Sequence, residues 1–225
     1  RTPLIAIVAE LVGSAGTAAI GDHTWAGFLV DLTAALPATS FARASSVTSP
    51  IRSVKDADEI ERLRQAAAAV DRIAVRLQAG EIDLVGRTEA EVSAELGRQI
   101  VDEGHHHMNF ASIAAGANAA SPHHEPGSRV IEPNEAVLCD FGGTMIGDDG
   151  VGYCSDITRC VWIGDRPDRE FLEAYAVLHE AQRASVAAAT VGTPAEAVDH
   201  EGRSRIAAAG FGSYFVHRTG HGIGV

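Results

Sequence analysis

Two aspartates, Asp140 and Asp156, each interrupt an apolar, β-branched run of strand character, and the turn signal Gly147-Asp148-Asp149-Gly150 lies between them. A carboxylate taken out of water is unstable unless its charge is matched, and two that face each other are most readily neutralised by a divalent cation. The pair is therefore a candidate metal site. The aspartates are sixteen positions apart, so a hairpin centred on Asp148 would set them directly opposite each other. That even separation excludes a two-residue turn and requires an odd-length loop or a bulge, with Gly147 and Gly150 supplying the unusual backbone. Along the second strand Cys154, Asp156, Thr158 and Cys160 share one face, and Ile157, Arg159 and Val161 the other. A simpler reading stays open on these residues alone, in which the aspartates are solvated or paired with Arg159 and Arg129.

With 225 residues, 46% of them hydrophobic and 21% charged, the chain can bury a sizeable core in one or two domains. Its formal charge of −12 repels phosphate backbones and anionic lipid, so neither nucleic acid nor a membrane surface is expected as a partner. The most apolar stretch, Leu4 to Ile20, is broken by Glu10, Gly13 and Gly16, and is too short and interrupted to span a bilayer. Arg1 and Leu4 to Val8 imitate a secretory leader, but Glu10 comes too early for one. Arg1 in place of Met suggests a start inside a longer protein. The three cysteines, Cys139, Cys154 and Cys160, lie in strand context without zinc-type spacing. They are expected to be free thiols in a reducing compartment, the cytoplasm.

Hydropathy patterning orders the rest. Pro3 to Ala35 reads as helix, short strand and helix, Ser40 to Ser46 as an edge strand, and the Ser, Thr, Pro and Arg of Ser45 to Lys55 as a linker. A domain division is thus expected between residues 52 and 53. Ile60, Leu63, Ala67, Val70, Ile73, Ala74 and Leu77 form one stripe of a long helix stopped by Gly80. Thr88 with Glu91 is a capping box for a second helix ending at Gly104. Asn109 to Ala115 and Ala136 to Ile163 read as sheet. Two more helices follow, Pro167 to Ala189 and one opened by a capping box at Thr193 with Pro194 at its first position, ending at Gly210. Helices flanking an antiparallel sheet give an α+β fold.

Histidines cluster beside these elements. His123 and His124 follow the loop from Gly116 to Pro122, and His217 and His221 lie in a glycine-rich tail. Glycines on both sides of His221 allow close backbone approach, which suits an imidazole ligand to a borderline cation. The run His105 to His107 follows a helix stop and reads as a solvated loop.

Taken in order, GANAASPHHEP (116–126), LCDFGG (138–143), YCSDITR (153–159) and FVHRTGHGIG (215–224) resemble the Xaa-Pro peptidases. These are the prolidase and aminopeptidase P branch of the creatinase/methionine-aminopeptidase superfamily. The resemblance covers Lys55 to Val225 and rests on four ordered motifs. It implies a pita-bread fold, with residues 1–52 as the end of a creatinase-type N-terminal domain and residues 53–225 as a catalytic domain incomplete at its C-terminus. It further implies two divalent metal ions, manganese first, with cobalt or zinc as alternatives. Asp140, Asp156 and His221 would be three of five ligands, and the family's two glutamate ligands would lie beyond Val225.

On the same resemblance His123 steadies the substrate and the developing oxyanion, and His217 lines the substrate side. The activity implied is hydrolysis of Xaa-Pro bonds by a metal-activated water, on small peptides with proline at the second position, by a homodimer. The loop between the aspartates is longer than the family's usual spacing, which makes its tip distinctive. The rival is a pita-bread domain that has lost catalysis and binds proteins in its groove; retention of two acids and His221 argues against it.

Overall fold

The computed structural model describes residues 4–13 and 16–225, so the helix start expected at Pro3 and the leader-like Arg1 lie outside the described residues. The chain divides into two compact units, residues 1–58 and 59–225.

In the first unit, helix α1 (Leu4–Val12) precedes strand β1 (Thr17–Ile20), helix α2 (Ala26–Ala35), strand β2 (Ser40–Arg43) and helix α3 (Ser45–Ser53). β1 and β2 pair in parallel, Thr17 with Ser40 through Ile20 with Arg43, as a crossover through α2 requires. The expected linker at Ser45 to Lys55 is corrected here, because most of it is α3. Its composition is poor for a helix, and Pro50 lies inside it. Contacts remote in sequence supply the stability. Asp22 accepts from the Ser45 amide at 3.2 Å and the Ser45 hydroxyl at 2.7 Å, and so caps α3 from 23 residues away. Arg43 Nε holds the same carboxylate at 2.8 Å.

In the second unit, helix α4 (Ala57–Gln78) buries Ala66, Ala69, Val70, Ile73, Ala74 and Leu77, close to the stripe expected. It ends in a Schellman motif: Gly80 takes φ +73°, Glu81 N donates to Arg76 O and Gly80 N to Leu77 O. Helix α5 (Glu89–Asp102) starts on the predicted capping box, with Thr88 Oγ1 accepting from Glu91 N and Glu91 accepting from Thr88 N. Strands β3 (His107–Ala115), β4 (Glu135–Ile146), β5 (Gly152–Cys154) and β6 (Ile157–Ile163) form one antiparallel sheet. β4 is its centre, paired with β3 on one side and with β5 and then β6 on the other. One face packs on α4 and α5, where Ile73, Leu96, Ile100, Ile113, Val137, Cys139 and Phe141 are fully buried. Each such side chain contributes roughly 1.5–3 kcal/mol of transfer free energy.

Helices α6 (Arg169–Ala188) and α7 (Ala195–Ala208) follow, and a short 3₁₀ turn at Gly212–Tyr214 leads into the glycine-rich tail. The capping box expected at Thr193 does not form. Pro194 is the N-cap, and the Thr193 hydroxyl is engaged with Thr190 at 3.0 Å. Among the described residues no helix is long and apolar enough to cross a membrane.

The α3 cap yields a pH prediction. Hydrogen bonds from Ser45 and then Arg43 draw the Asp22 pKa from 3.8 down to about 2. A depressed carboxylate stabilises the fold above its unfolded value and loses that contribution as pH falls through its folded value. The start of α3 therefore frays between about pH 4 and pH 2, read by NMR as loss of the Ser45 amide shift, and Asp22→Ala shows the frayed signal already at pH 7.

Candidate metal and substrate site

The alternation of β4 places Cys139 and Phe141 in the core and Asp140 on the opposite face. Asp140 pairs with Ser112 on β3 and Thr158 on β6. The expectation that Asp140 directly opposes Asp156 is corrected: the register is two residues longer. The loop has odd length, as its parity demanded, but its tip is centred on Asp149. Asp149 accepts from Val151 N at 3.0 Å and takes a two-point ion pair from Arg62 at 2.8 Å on each oxygen. Gly147 N donates to Val151 O and Gly150, at φ +78°, closes the turn onto Gly147 O. A shift of two leaves the face unchanged, so Asp156 stays on the side of Asp140 as its diagonal neighbour.

Asp156 does not lie within a strand. Ser155 and Asp156 occupy a break between β5 and β6. The break is built by close backbone approach, for a Cβ on Gly142 would meet Ser155 O at 2.0 Å and Asp156 Cα at 3.2 Å. Ser155 is buried, its N donates to Gly143 O, and its hydroxyl takes Gly143 N at 3.2 Å and His105 Nε2 at 2.8 Å. The solvated loop expected at His105 is thus corrected: the side chain is 3% exposed and burial pushes its pKa down. The helix stop at Gly104 turns the chain inward toward Ser155, and only His107 begins β3.

The tail carries His221 to the same place. Nδ1 of His221 is 2.9 Å from the Gly222 carbonyl, which can only accept, so Nδ1 carries the proton. Nε2 then faces Asp156 Oδ2 at 3.1 Å. The imidazole nitrogen that is turned away from the Gly222 carbonyl and the carboxylate oxygen thus face each other directly. A separation of about 3 Å suits two donors sharing one cation, and a carbonyl-held imidazole is the usual form of a ligand histidine.

Asp140 stands apart from that pair. Burial pushes its carboxyl up, the Thr158 hydroxyl at 2.8 Å draws it down, Asp156 pushes it up, and His221 and His123 draw it down. Neither arginine of the simpler reading neutralises the aspartates: Arg159 bonds Thr158 O and reaches Asp71, and Arg129 pairs with Glu135. Among the described residues no three His, Cys, Asp or Glu side chains close on one point as a complete metal site. The oxygen-rich set of Asp140, Asp156 and His221 fits part of a centre for a divalent cation.

A cleft of about 840 Å³ opens in front of Asp140, lined by Ser112, His123, Thr158, Phe215 and His217 among others. The rings of His123 and His217 meet edge to face at 5.2 Å. His123 has φ +55°, a left-handed conformation that a non-glycine residue adopts only when its surroundings impose it. The tail bearing His217 is clamped by α7. Arg203 donates to His217 O at 2.6 Å and to Phe215 O at 3.0 Å, while Asp199 accepts from Thr219 N at 2.7 Å. Hydrogen bonds from Arg203 and then Thr219 hold the Asp199 carboxyl well below the usual carboxylate range. Asp199 and Arg203 were not singled out from sequence, where an i,i+4 pair on a helix reads as surface decoration.

Residues 61–225 match metallopeptidase family M24. The chain belongs to that family. It is 43% identical over 182 residues to the probable dipeptidase PepE of Mycobacterium tuberculosis, covering 81% of this chain and 47% of that protein. To the Xaa-Pro dipeptidase of Lactobacillus helveticus it is 38% identical over 213 residues, covering 90% and 56%. The prolidase structure of Thermococcus sibiricus superposes with a TM-score of 0.88 at 34% identity, covering 98% of this chain and 59% of that one. This M24 chain thus has the expected α+β, pita-bread architecture in part and spans about half the length of the curated relatives it matches. The resemblance to the prolidase and aminopeptidase P branch stands on these relatives.

The backbone contact at Gly142 is directly testable. Gly142→Ala forces a methyl group into the Ser155 carbonyl and costs about 1–3 kcal/mol of stability, measured by urea unfolding.

Proposed function

We propose that this M24 chain carries the first part of the metal centre of a metal-dependent exopeptidase that hydrolyses Xaa-Pro bonds. The observation that carries the reading is the Asp156–His221 pair, whose Oδ2 and Nε2 face each other at 3.1 Å, a separation that suits two donors to one cation. Asp140, half-buried on the same face, adds a second carboxylate. Family membership and relatives named Xaa-Pro dipeptidase and prolidase support the assignment. In this reading Asp140, Asp156 and His221 would hold the ions, manganese first and cobalt or zinc as alternatives, together with the two glutamate ligands that the family resemblance implies. Divalent ions bound there supply Lewis acidity that lowers the pKa of a water and polarises the scissile carbonyl.

The chain's own groups do the rest. His123 donates to the carbonyl oxygen as negative charge develops on it, an interaction worth a few kcal/mol when the donor is held in place. His217 packs against the His123 ring and walls the cleft on the substrate side. A bond to proline offers no amide hydrogen, so recognition must come from shape and from the carbonyl. We further propose that residues 1–52 end a creatinase-type N-terminal domain, that residues 53–225 belong to the catalytic domain, and that the protein works as a cytoplasmic homodimer. Three free thiols are consistent with that compartment.

The test uses the full-length protein. Purified protein should contain divalent metal and, with manganese or cobalt, release proline from Xaa-Pro dipeptides. Asp156→Asn should lose metal on elemental analysis while keeping the circular dichroism of the parent and the melting transition of the metal-free parent. Metal-free protein that takes up neither manganese nor cobalt and hydrolyses nothing would overturn the reading in favour of a binding module.

A further inference from the structure

We propose that Glu89, which the expected machinery does not include, is the positioning residue that sets His123 in the cleft. This rests on the reading of His123 as the group that meets the substrate carbonyl. Glu89 is the first residue of α5 and is fully buried. Its Oε1 accepts from Ala115 N and Asn118 Nδ2, both at 2.9 Å. Its Oε2 faces His124 Nε2 at 2.8 Å and Gly127 N at 3.3 Å.

Those four partners run from the last residue of β3, through the 3₁₀ turn at Gly116–Ala120, to the far side of His124. One carboxylate therefore ties both ends and the middle of the loop that carries His123. Burial raises the Glu89 pKa, but the hydrogen bonds from Ala115, His124, Asn118 and Gly127 together draw it below its ordinary value. Two backbone bonds add to the tie, Glu89 N to Arg129 O and Ala90 N to Gly127 O.

His124 transmits the constraint. Its ring is held by Glu89, and its carbonyl accepts from Ser112 Oγ at 2.6 Å, on the strand position that pairs with Asp140. The residue after His123 is thus fixed at both ring and backbone. With Pro122 restricting the other side, His123 is left in its left-handed conformation with its ring against His217.

An ionised carboxylate suits the centre because it accepts at every lone pair, whereas the amide of Gln would set N–H groups against the Gly127 donor. From sequence, Glu89 was one more acid in the first turn of a helix, where the dipole favours any acid.

The experiment compares Glu89→Gln with the parent in the full-length protein, by histidine-ring NMR, amide hydrogen exchange and steady-state kinetics. Expected are a His123 ring signal moved toward that of a free histidine, exchange at Gly127 faster by about tenfold or more, and unchanged amide shifts along β4. The kcat should fall about tenfold with KM within about twofold, because binding surfaces remain while the donor is misplaced. Should Glu89→Gln fail to fold, His124→Asn removes only the ring arm and should move the His123 signal in the same way. A folded variant of either kind that keeps the parent His123 signal overturns the proposal. A displaced His123 ring in a protein whose parent hydrolyses no Xaa-Pro peptide supports the positioning role and overturns the peptidase reading instead.

Discussion

Strand β4 is paired on both sides from Val137 to Phe141, with β3 and β6, and beyond the break with β5, and the rest of the second unit depends on that double pairing. A central strand has no freedom to slip, since a shift of one residue would carry Cys139 and Phe141 out of the core and Asp140 into it. Burial of the apolar face against α4 and α5 therefore holds an acid on the other face at a fixed position. The core and the charged side of the sheet are two consequences of one register.

The groups that meet Asp140 come from segments far apart in the chain, and each is held by polar contacts of its own. The β5–β6 break presents Asp156 because Gly142 admits the Ser155 carbonyl and because buried His105 occupies the Ser155 hydroxyl. The loop bearing His123 is tied to the start of α5, and the tail bearing His217 and His221 is clamped by Asp199 and Arg203 of α7. Tails and loops cannot bury enough apolar surface to order themselves, so ionised side chains with several donors or acceptors take that task.

Local signals in the sequence read true where the stabilising partner lies within a turn or two. The Thr88–Glu91 box, the α4 stripe and the Gly80 stop each involve residues a few positions apart, and all three form as expected. Where the partner is remote the reading failed. Helix α3 is capped by Asp22, 23 residues away, and Arg43 steadies that cap. The hairpin register differs by two from that expected, and Arg62, from α4, meets Asp149 at the tip.

The sequence by itself determined that two aspartates share one face of an antiparallel sheet, through the period of two of strands and the parity of the loop between them. It also determined the family, through four ordered motifs. Only the tertiary structure decided that Asp156 sits at a strand break rather than opposite Asp140, that His105 is buried, and that Glu89 and Asp199 support the histidine-bearing segments. Alternation and capping are properties of neighbouring residues and can be read along a chain. The choice among many possible partners for a carboxylate or an imidazole depends on which segments packing brings within 3 Å, and that is settled only when the chain has closed on itself.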